Sequence, residues 1–189
     1  MNVTLDAERM AQALSKIGHE IASTYSDPPV AFVGIRSRGA PLADRLAGIY
    51  RNRRGIEPLR GTLDITLYRD DLNARASATA PPRAWPEVRA SHIPFAVNGT
   101  TIILVDDVLY TGRTIRAAMN ALSDYGRPRA VHLAVLIDRG LRELPIQAEF
   151  AGKRIATTPE DHVHVRIAEL DGADEVIVVR QAQHDGSDA

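Results

Sequence analysis

Two adjacent acids, Asp106 and Asp107, stand just ahead of a Tyr110-Thr111-Gly112-Arg113-Thr114 run. Paired carboxylates accept hydrogen bonds from neighbouring hydroxyls and stabilise positive charge that develops beside them. Thr111 and Thr114 offer hydroxyl donors, and Gly112 lets backbone amides approach an anion closely. The segment TIILVDDVLYTGRT (Thr101–Thr114) reads as a buried strand, an acidic exit, a short loop and a helix start. A helix start carries unpaired N–H groups and a partial positive charge, so this loop suits a phosphate. Acids beside a held phosphate suit the hydroxyls of a ribose 5-phosphate. Alone, an Asp pair or a Thr-Gly pair reads as a plain polar strand exit and turn. It is the order of the whole segment that points to a sugar phosphate.

Three other strand exits also carry charge. Arg36-Ser37-Arg38-Gly39 follows the apolar run Val30–Ile35, and Asp138-Arg139-Gly140 follows Ala130–Ile137. Arg69, Asp70 and Asp71 follow the alternating segment Thr62–Tyr68. In an open parallel sheet such carboxyl ends gather on one rim, where ligands bind.

The elements that must position these residues follow from periodicity. Residues 5–25 read as a helix with Met10, Leu14, Ile17 and Ile21 on its apolar face. A second helix is expected from Pro41, and a third from about Thr114 with Ile115, Ala118, Met119 and Leu122 inward and Gly126 as its stop. Strands are expected at 30–35, 62–68, 101–105 and 130–137, and two more near His162–Ile167 and Glu175–Val179. Strands alternating with helices imply an α/β fold with a mainly parallel sheet. Residues 69–99, with Pro81, Pro82, Pro86 and Pro94, show little periodicity, and a loop that long suggests a lid or binding loop. The polar tail after Arg180 is expected to fray.

Composition narrows the class. At 189 residues the chain suits a single domain over 1–189, and its lack of cysteine excludes disulfides, thiolate metal sites and a cysteine nucleophile. A net charge of −1 gives no global attraction to nucleic acid, so any RNA contact needs a local patch. Neither a signal peptide nor a membrane span is visible, which makes the cytoplasm the expected compartment. His162 and His164 read as a surface pair and His132 as a core or interface residue, with no third ligand at metal-site spacing.

Ile103–Thr114 (ILVDDVLYTGRT) resembles the donor-binding motif of the type I phosphoribosyltransferases, which use 5-phosphoribosyl-1-pyrophosphate (PRPP). Further stretches, GIRSRG (34–39), LDITLYRDDL (63–72), GRPRAVHLAVLIDRG (126–140) and LRELPIQAEFAGKRIATT (141–158), resemble the bifunctional PyrR family of pyrimidine operon regulators and uracil phosphoribosyltransferases. That resemblance implies an open, mainly parallel sheet flanked by helices, a flexible active-site lid over 69–99 and a hood over 141–170. It implies that uracil and PRPP give UMP and pyrophosphate, with Mg²⁺ carried chiefly by PRPP and Asp70 and Asp71 near it. Asp106 and Asp107 would hold the ribose hydroxyls. Val108, Leu109, Tyr110, Thr111, Gly112, Arg113 and Thr114 would wrap the 5-phosphate. Arg36, Ser37, Arg38 and Gly39 would take the leaving diphosphate, and Arg69 would reach it from the lid. Asp138, Arg139 and Val163 would form the base pocket.

The same family binds pyrimidine leader mRNA in response to UMP or UTP and forms dimers or larger homo-oligomers. By resemblance the RNA face comprises Ser15, Lys16 and His19 beside Gln12, with Arg142 and Lys153. Several positions depart from the family pattern: Ala11, Gln12, Leu141 and Gln147 replace usual basic residues. Each lost cation removes a salt-dependent phosphate contact. Two alternatives stay open here: transfer to another base such as a purine, and RNA-binding regulation with little catalysis. A phospho-receiver domain fits less well, because its acidic pair would follow the first strand.

Overall fold

The computed structural model describes residues 2–69 and 90–180. Most of the expected lid, with Asp70 and Asp71, and the expected frayed tail therefore lie outside the described residues.

The chain begins with strand β1 (Asn2–Leu5) and helix α1 (Ala7–Thr24). Asp6 caps the helix by accepting the Arg9 N–H at 2.9 Å. Its buried face is the expected one, with Met10, Leu14, Ile17 and Ile21. Strand β2 (Val30–Ile35) is buried throughout and leads into α2 (Gly39–Arg54), which starts two residues before the expected Pro41. The two helices touch through Gly18, where a Cβ would lie 2.5 Å from Ile49 Cγ2.

Strand β3 (Leu59–Leu63) is displaced from the expected 62–68, and a 3₁₀ turn occupies Thr66–Tyr68. Asp64 explains the break: its carboxylate accepts the Thr66 N–H at 2.7 Å, and its own N–H donates to Ser91 Oγ at 2.8 Å. A short polar side chain thus offers the backbone a turn in place of the ladder.

Strand β4 (Thr101–Leu109) runs past the expected Val105 and pairs with β5 (Ala130–Asp138) as far as Leu109 opposite Asp138. Between them lies helix α3 (Arg113–Ser123). Ile115, Ala118 and Leu122 face the core as expected, whereas Met119 is 46% exposed. The inward stripe closes on Ala117 and Ala121 instead, leaving Met119 on its outer side.

Strand β6 (Phe150–Arg154) was not expected, and its Gly152 explains how α1 settles on it: a Cβ there would meet Ala13 at 3.1 Å. Strand β7 (His162–Arg166), the short helix α4 (Ala168–Asp171) and β8 (Glu175–Val179) complete the described chain.

Five strands form one parallel sheet in the order β3-β2-β4-β5-β6. A small antiparallel sheet, β1-β8-β7, stands apart from it. Of residues 141–170, expected as a hood, Phe150–Arg154 belong to the large sheet, while β7 joins β1 and β8 in the small one. Helices α1 and α2 cover one face of the large sheet and α3 covers the other, so apolar side chains fill two separate cores. None of the helices among the described residues is long and apolar enough to cross a membrane.

Candidate active site

Parallel strands place their carboxyl ends on one rim, and that topology gathers the charged exits found in the sequence. Gly39, at the start of α2, lies against the end of β4: a Cβ there would sit 2.4 Å from the Val105 carbonyl oxygen and 3.3 Å from Asp106 Cα. The Arg36–Gly39 loop and the acidic pair are therefore immediate neighbours. Only a residue without a side chain fits between them.

Asp106 is buried, 7% exposed, and Asp107 is half-buried. The Asp107 N–H donates to Asp106 Oδ1 at 3.0 Å, and the Val108 N–H donates to Asp107 Oδ1 at 2.9 Å. Burial, reinforced by the neighbouring Asp107 charge, pushes Asp106 well above the ordinary carboxylate range, while Arg69 pulls it partly back. Burial also raises Asp107, opposed by hydrogen bonds with Asp106 and backbone and by the charge of Arg38. A cationic ring forming beside two buried acids would favour their ionised forms and be stabilised by them.

The loop after β4 turns on Gly112, whose φ of 94° places it in the left-handed region. Helix α3 then starts with the Arg116 N–H donating to the Gly112 carbonyl at 2.9 Å. Thr111 Oγ1 accepts the Arg113 N–H at 3.4 Å. The outer side of the loop is braced by residues 143–146. The Glu143 and Leu144 N–H groups donate to the Thr111 carbonyl at 3.0 and 3.1 Å, and Arg113 pairs with Glu143 at 2.7 Å. First-turn amides at the tip of α3 point out of the helix, toward the space an anion would fill.

Arg142, expected on an RNA surface, is instead turned inward. Its Nη1 donates to the Tyr110 and Gly140 carbonyls, each at 2.8 Å, and its Nε donates to the Ile146 carbonyl at 2.9 Å. It also pairs with Asp138, whose Oδ1 accepts the Gly140 N–H at 3.0 Å. The physical reason is local: backbone carbonyls and a carboxylate converge where the chain crosses behind the Val108–Thr114 loop, and a planar cation satisfies them together.

Arg139 is similarly committed. Its guanidinium donates to Thr157 Oγ1 at 3.0 Å and to the Thr158 and Asp161 carbonyls at 2.8 and 2.9 Å. It lies 4.1 Å from the centre of the Tyr110 ring. Its side chain thus ties the 157–161 loop to the end of β5. Val163, on β7, packs half-buried against the core. Backbone groups near Asp138 remain part of the same corner, where the Ile155 N–H donates to the Asp138 carbonyl at 2.9 Å.

The structure thus brings Arg36, Ser37, Arg38, Gly39, Asp106, Asp107, the 108–114 loop, Asp138 and Arg69 to one rim. Ser15, Lys16 and His19 lie on α1, away from it, with Lys16 and His19 exposed. Lys153 reaches the Thr4 carbonyl at 3.4 Å, bridging the two sheets. His132 is held by Tyr25 at 2.8 Å and by Glu149, which fits the expected structural role. Sequence reasoning missed Asp171, which grips Arg38 at 2.9 Å; nothing in its spacing marked it.

Comparison with known proteins agrees with this geometry. Residues 4–169 match the phosphoribosyl transferase domain family. The chain is 50% identical over 184 residues to the bifunctional protein PyrR of Roseiflexus sp. (strain RS-1), covering 96% of this chain and 97% of that one. It is 49% identical over 173 residues to the bifunctional protein PyrR of Thermus aquaticus, covering 91% and 92%. The hypoxanthine phosphoribosyltransferase of Trypanosoma cruzi superposes with a TM-score of 0.70 at 14% identity, over 96% of this chain and 98% of that one, which speaks for the fold. With the rim, the acidic pair and near-complete coverage by such relatives in agreement, the chain belongs to the PyrR family of type I phosphoribosyltransferases.

Proposed function

We propose that this phosphoribosyltransferase joins uracil to PRPP, giving UMP and pyrophosphate, and that it also binds pyrimidine leader RNA in response to uridine nucleotides. The observation that carries the catalytic half is the contact of Gly39 with the end of β4, which sets a basic loop beside Asp106 and Asp107. In this reading the amides and hydroxyls at Val108–Thr114 hold the 5-phosphate. Asp106 and Asp107 accept the ribose hydroxyls, and the Arg36–Gly39 loop takes the diphosphate as it leaves.

Breaking the bond from ribose to diphosphate develops positive charge on the ring and negative charge on the leaving group. Carboxylates on one side and arginines on the other stabilise both more in the transition state than in the substrate. The 157–161 loop, pinned by Arg139, and the small sheet stand as the hood over the base. Of the expected lid, the described residues 90–99 are instead fastened to the sheet: His92 bridges Thr62, and Ile93, Phe95 and Val97 pack against the core.

Mg²⁺ fits this site as a companion of the donor. That ion keeps phosphate and water ligands, so the diphosphate would carry it into the site beside the Asp106 and Asp107 carboxylates. Bound there, Mg²⁺ would supply charge neutralisation of the diphosphate.

The regulatory half rests on the bifunctional PyrR relatives and on exposed Lys16 and His19 of α1. With Arg142 turned inward, that face is less basic than the sequence suggested, so binding would be weaker and carry a shallower salt dependence. The enzyme, PRPP, Mg²⁺ and a panel of free bases, with the nucleotide product identified, test the first half. UMP as the predominant product is expected; a purine nucleotide would replace uracil, and no nucleotide would end the catalytic reading. A gel shift with pyrimidine leader RNA and UMP at low salt tests the second, and an unshifted RNA would remove it.

A further inference from the structure

Arg38 lies between two acids from distant parts of the chain. Its Nη2 donates to both carboxylate oxygens of Asp171, at 2.9 and 3.2 Å, and its charge reaches Asp107 at the end of β4. Asp171 closes helix α4 and is itself fixed, accepting the Ile167 N–H at 2.9 Å. A second clamp lies alongside. Arg45 of α2 donates to Glu169 at 2.9 Å and to Asp174 at 2.8 Å, and Asp174 accepts the Ala168 N–H at 2.8 Å.

Because Arg45 already fastens α4 to α2, docking of the small sheet does not depend on Arg38. What the Arg38–Asp171 pair adds is direction: it holds the guanidinium by one edge. Among the described residues Arg38 Nε is the one buried side-chain nitrogen or oxygen without a hydrogen-bond partner. A buried donor left open is unfavourable, and native structures keep few of them without a functional reason. This one sits in the loop next to the acidic pair.

We propose that Asp171 is a positioning residue for the transfer: it orients Arg38 so that the remaining N–H groups of the guanidinium meet the diphosphate of the donor. The proposal rests on the reading of Arg36–Gly39 as the diphosphate loop. A guanidinium held at one nitrogen keeps donors for a phosphate oxygen in its own plane, which a freely rotating side chain would offer only part of the time. Because α4 lies next to β7 and β8, the same contact ties the diphosphate loop to the part of the chain that covers the base. Donor binding should therefore feel the loss of Asp171, whereas a nucleoside monophosphate, which has no diphosphate, should not.

The test is Asp171→Asn, which keeps the size of the side chain and an oxygen to accept the Ile167 N–H. Steady-state kinetics with PRPP, uracil and Mg²⁺ are run on both proteins, and UMP affinity is measured by calorimetry. The KM for PRPP should rise about tenfold, the loss expected of one charge-assisted hydrogen bond. On the same scale kcat should change less than about threefold and UMP affinity less than about twofold. An unchanged KM in the variant, or equal weakening of PRPP and UMP, overturns the proposal. A wild type inactive with every base overturns the diphosphate reading and this inference with it. Should Asp171→Asn fail to fold, Asp171→Glu and Arg38→Gln, singly and together, decide the matter. A double variant no worse than Arg38→Gln alone supports the proposal, and additive losses refute it.

Discussion

Arg142 and Tyr110, thirty-two residues apart in sequence, are joined by a hydrogen bond of 2.8 Å from the Arg142 Nη1 to the Tyr110 carbonyl. The cation therefore braces the Val108–Thr114 loop from behind. Arg142→Ala should leave the Tyr110, Gly140 and Ile146 carbonyls without this donor and cost about 2 kcal/mol, the scale of lost charged hydrogen bonds. Turnover and Tm should fall together. Normal Tm and kinetics in this variant would return Arg142 to the surface role that the sequence suggested.

Asp107 and Thr111 test the sugar-phosphate site directly. Asp107→Ala removes an acid that the proposed function sets beside the ring, and Thr111→Ala removes a hydroxyl at the loop. Each should cut kcat/KM by at least about a hundredfold, the usual consequence of losing one preorganised transition-state contact. Steady-state kinetics on both, at saturating Mg²⁺, are the check; near-normal values in both would end the assignment.

Asp106 should make the ligand-free protein less stable as pH rises. Burial, then the Asp107 charge, holds its folded-state proton affinity well above that of the unfolded chain. Above the ordinary carboxylate range the unfolded state releases its proton while the folded state keeps it, so the native form binds more protons and loses stability with rising pH. Asp106→Asn removes the Asp106 share of that dependence and leaves the share of Asp107, which burial also raises. At pH 7 the variant should melt higher than the wild type, by about 2–4 °C for each kcal/mol recovered, and near pH 3 the two should converge. Its turnover should nevertheless collapse, since the same group serves the ring. Thermal melts across the pH range decide the matter; a variant melting below wild type at pH 7 would contradict it.

Gly112→Ala should disturb the loop on two counts. A φ of 94° disfavours any side chain, and the new Cβ would lie 3.3 Å from Ile146 Cβ. The cost should be about 1–2 kcal/mol in stability, as expected for a left-handed L-residue. The KM for PRPP should rise with it, because the amides at the tip of α3 shift. Kinetics combined with denaturant unfolding measure both.

The strand, loop and helix start across 101–114 were legible in the sequence because they are local signals carried by consecutive residues. The neighbours of that loop were less so. Nothing along the chain says that Gly39 abuts Asp106, since parallel pairing of β2 with β4 makes the contact. Nor does sequence reveal where a long side chain points, which is why Arg142 and Arg139 read as surface or pocket groups while both anchor backbone carbonyls. Strand β1 escaped notice because the four residues Asn2–Leu5 are too few to establish a period, and β6 because Gly152, Lys153 and Arg154 break its apolar pattern. Met119 fell outside the core because a helical face is narrower than the four-residue spacing implies. Asp171 was silent for a different reason: its partner, Arg38, lies across the fold.

The small sheet joins β1 to β8, so Asn2 meets Val178 and Val3 meets Ile177. Every one of the five parallel strands is complete in the chain before β8 exists. During synthesis the five-stranded sheet and its rim can assemble while β1 still waits for its mate. Closing so long a loop is slow and entropically disfavoured until neighbouring contacts reward it. The small sheet thus forms after the large one, and a chain truncated ahead of Glu175 would keep the floor and lose the strand that joins β1 to β7.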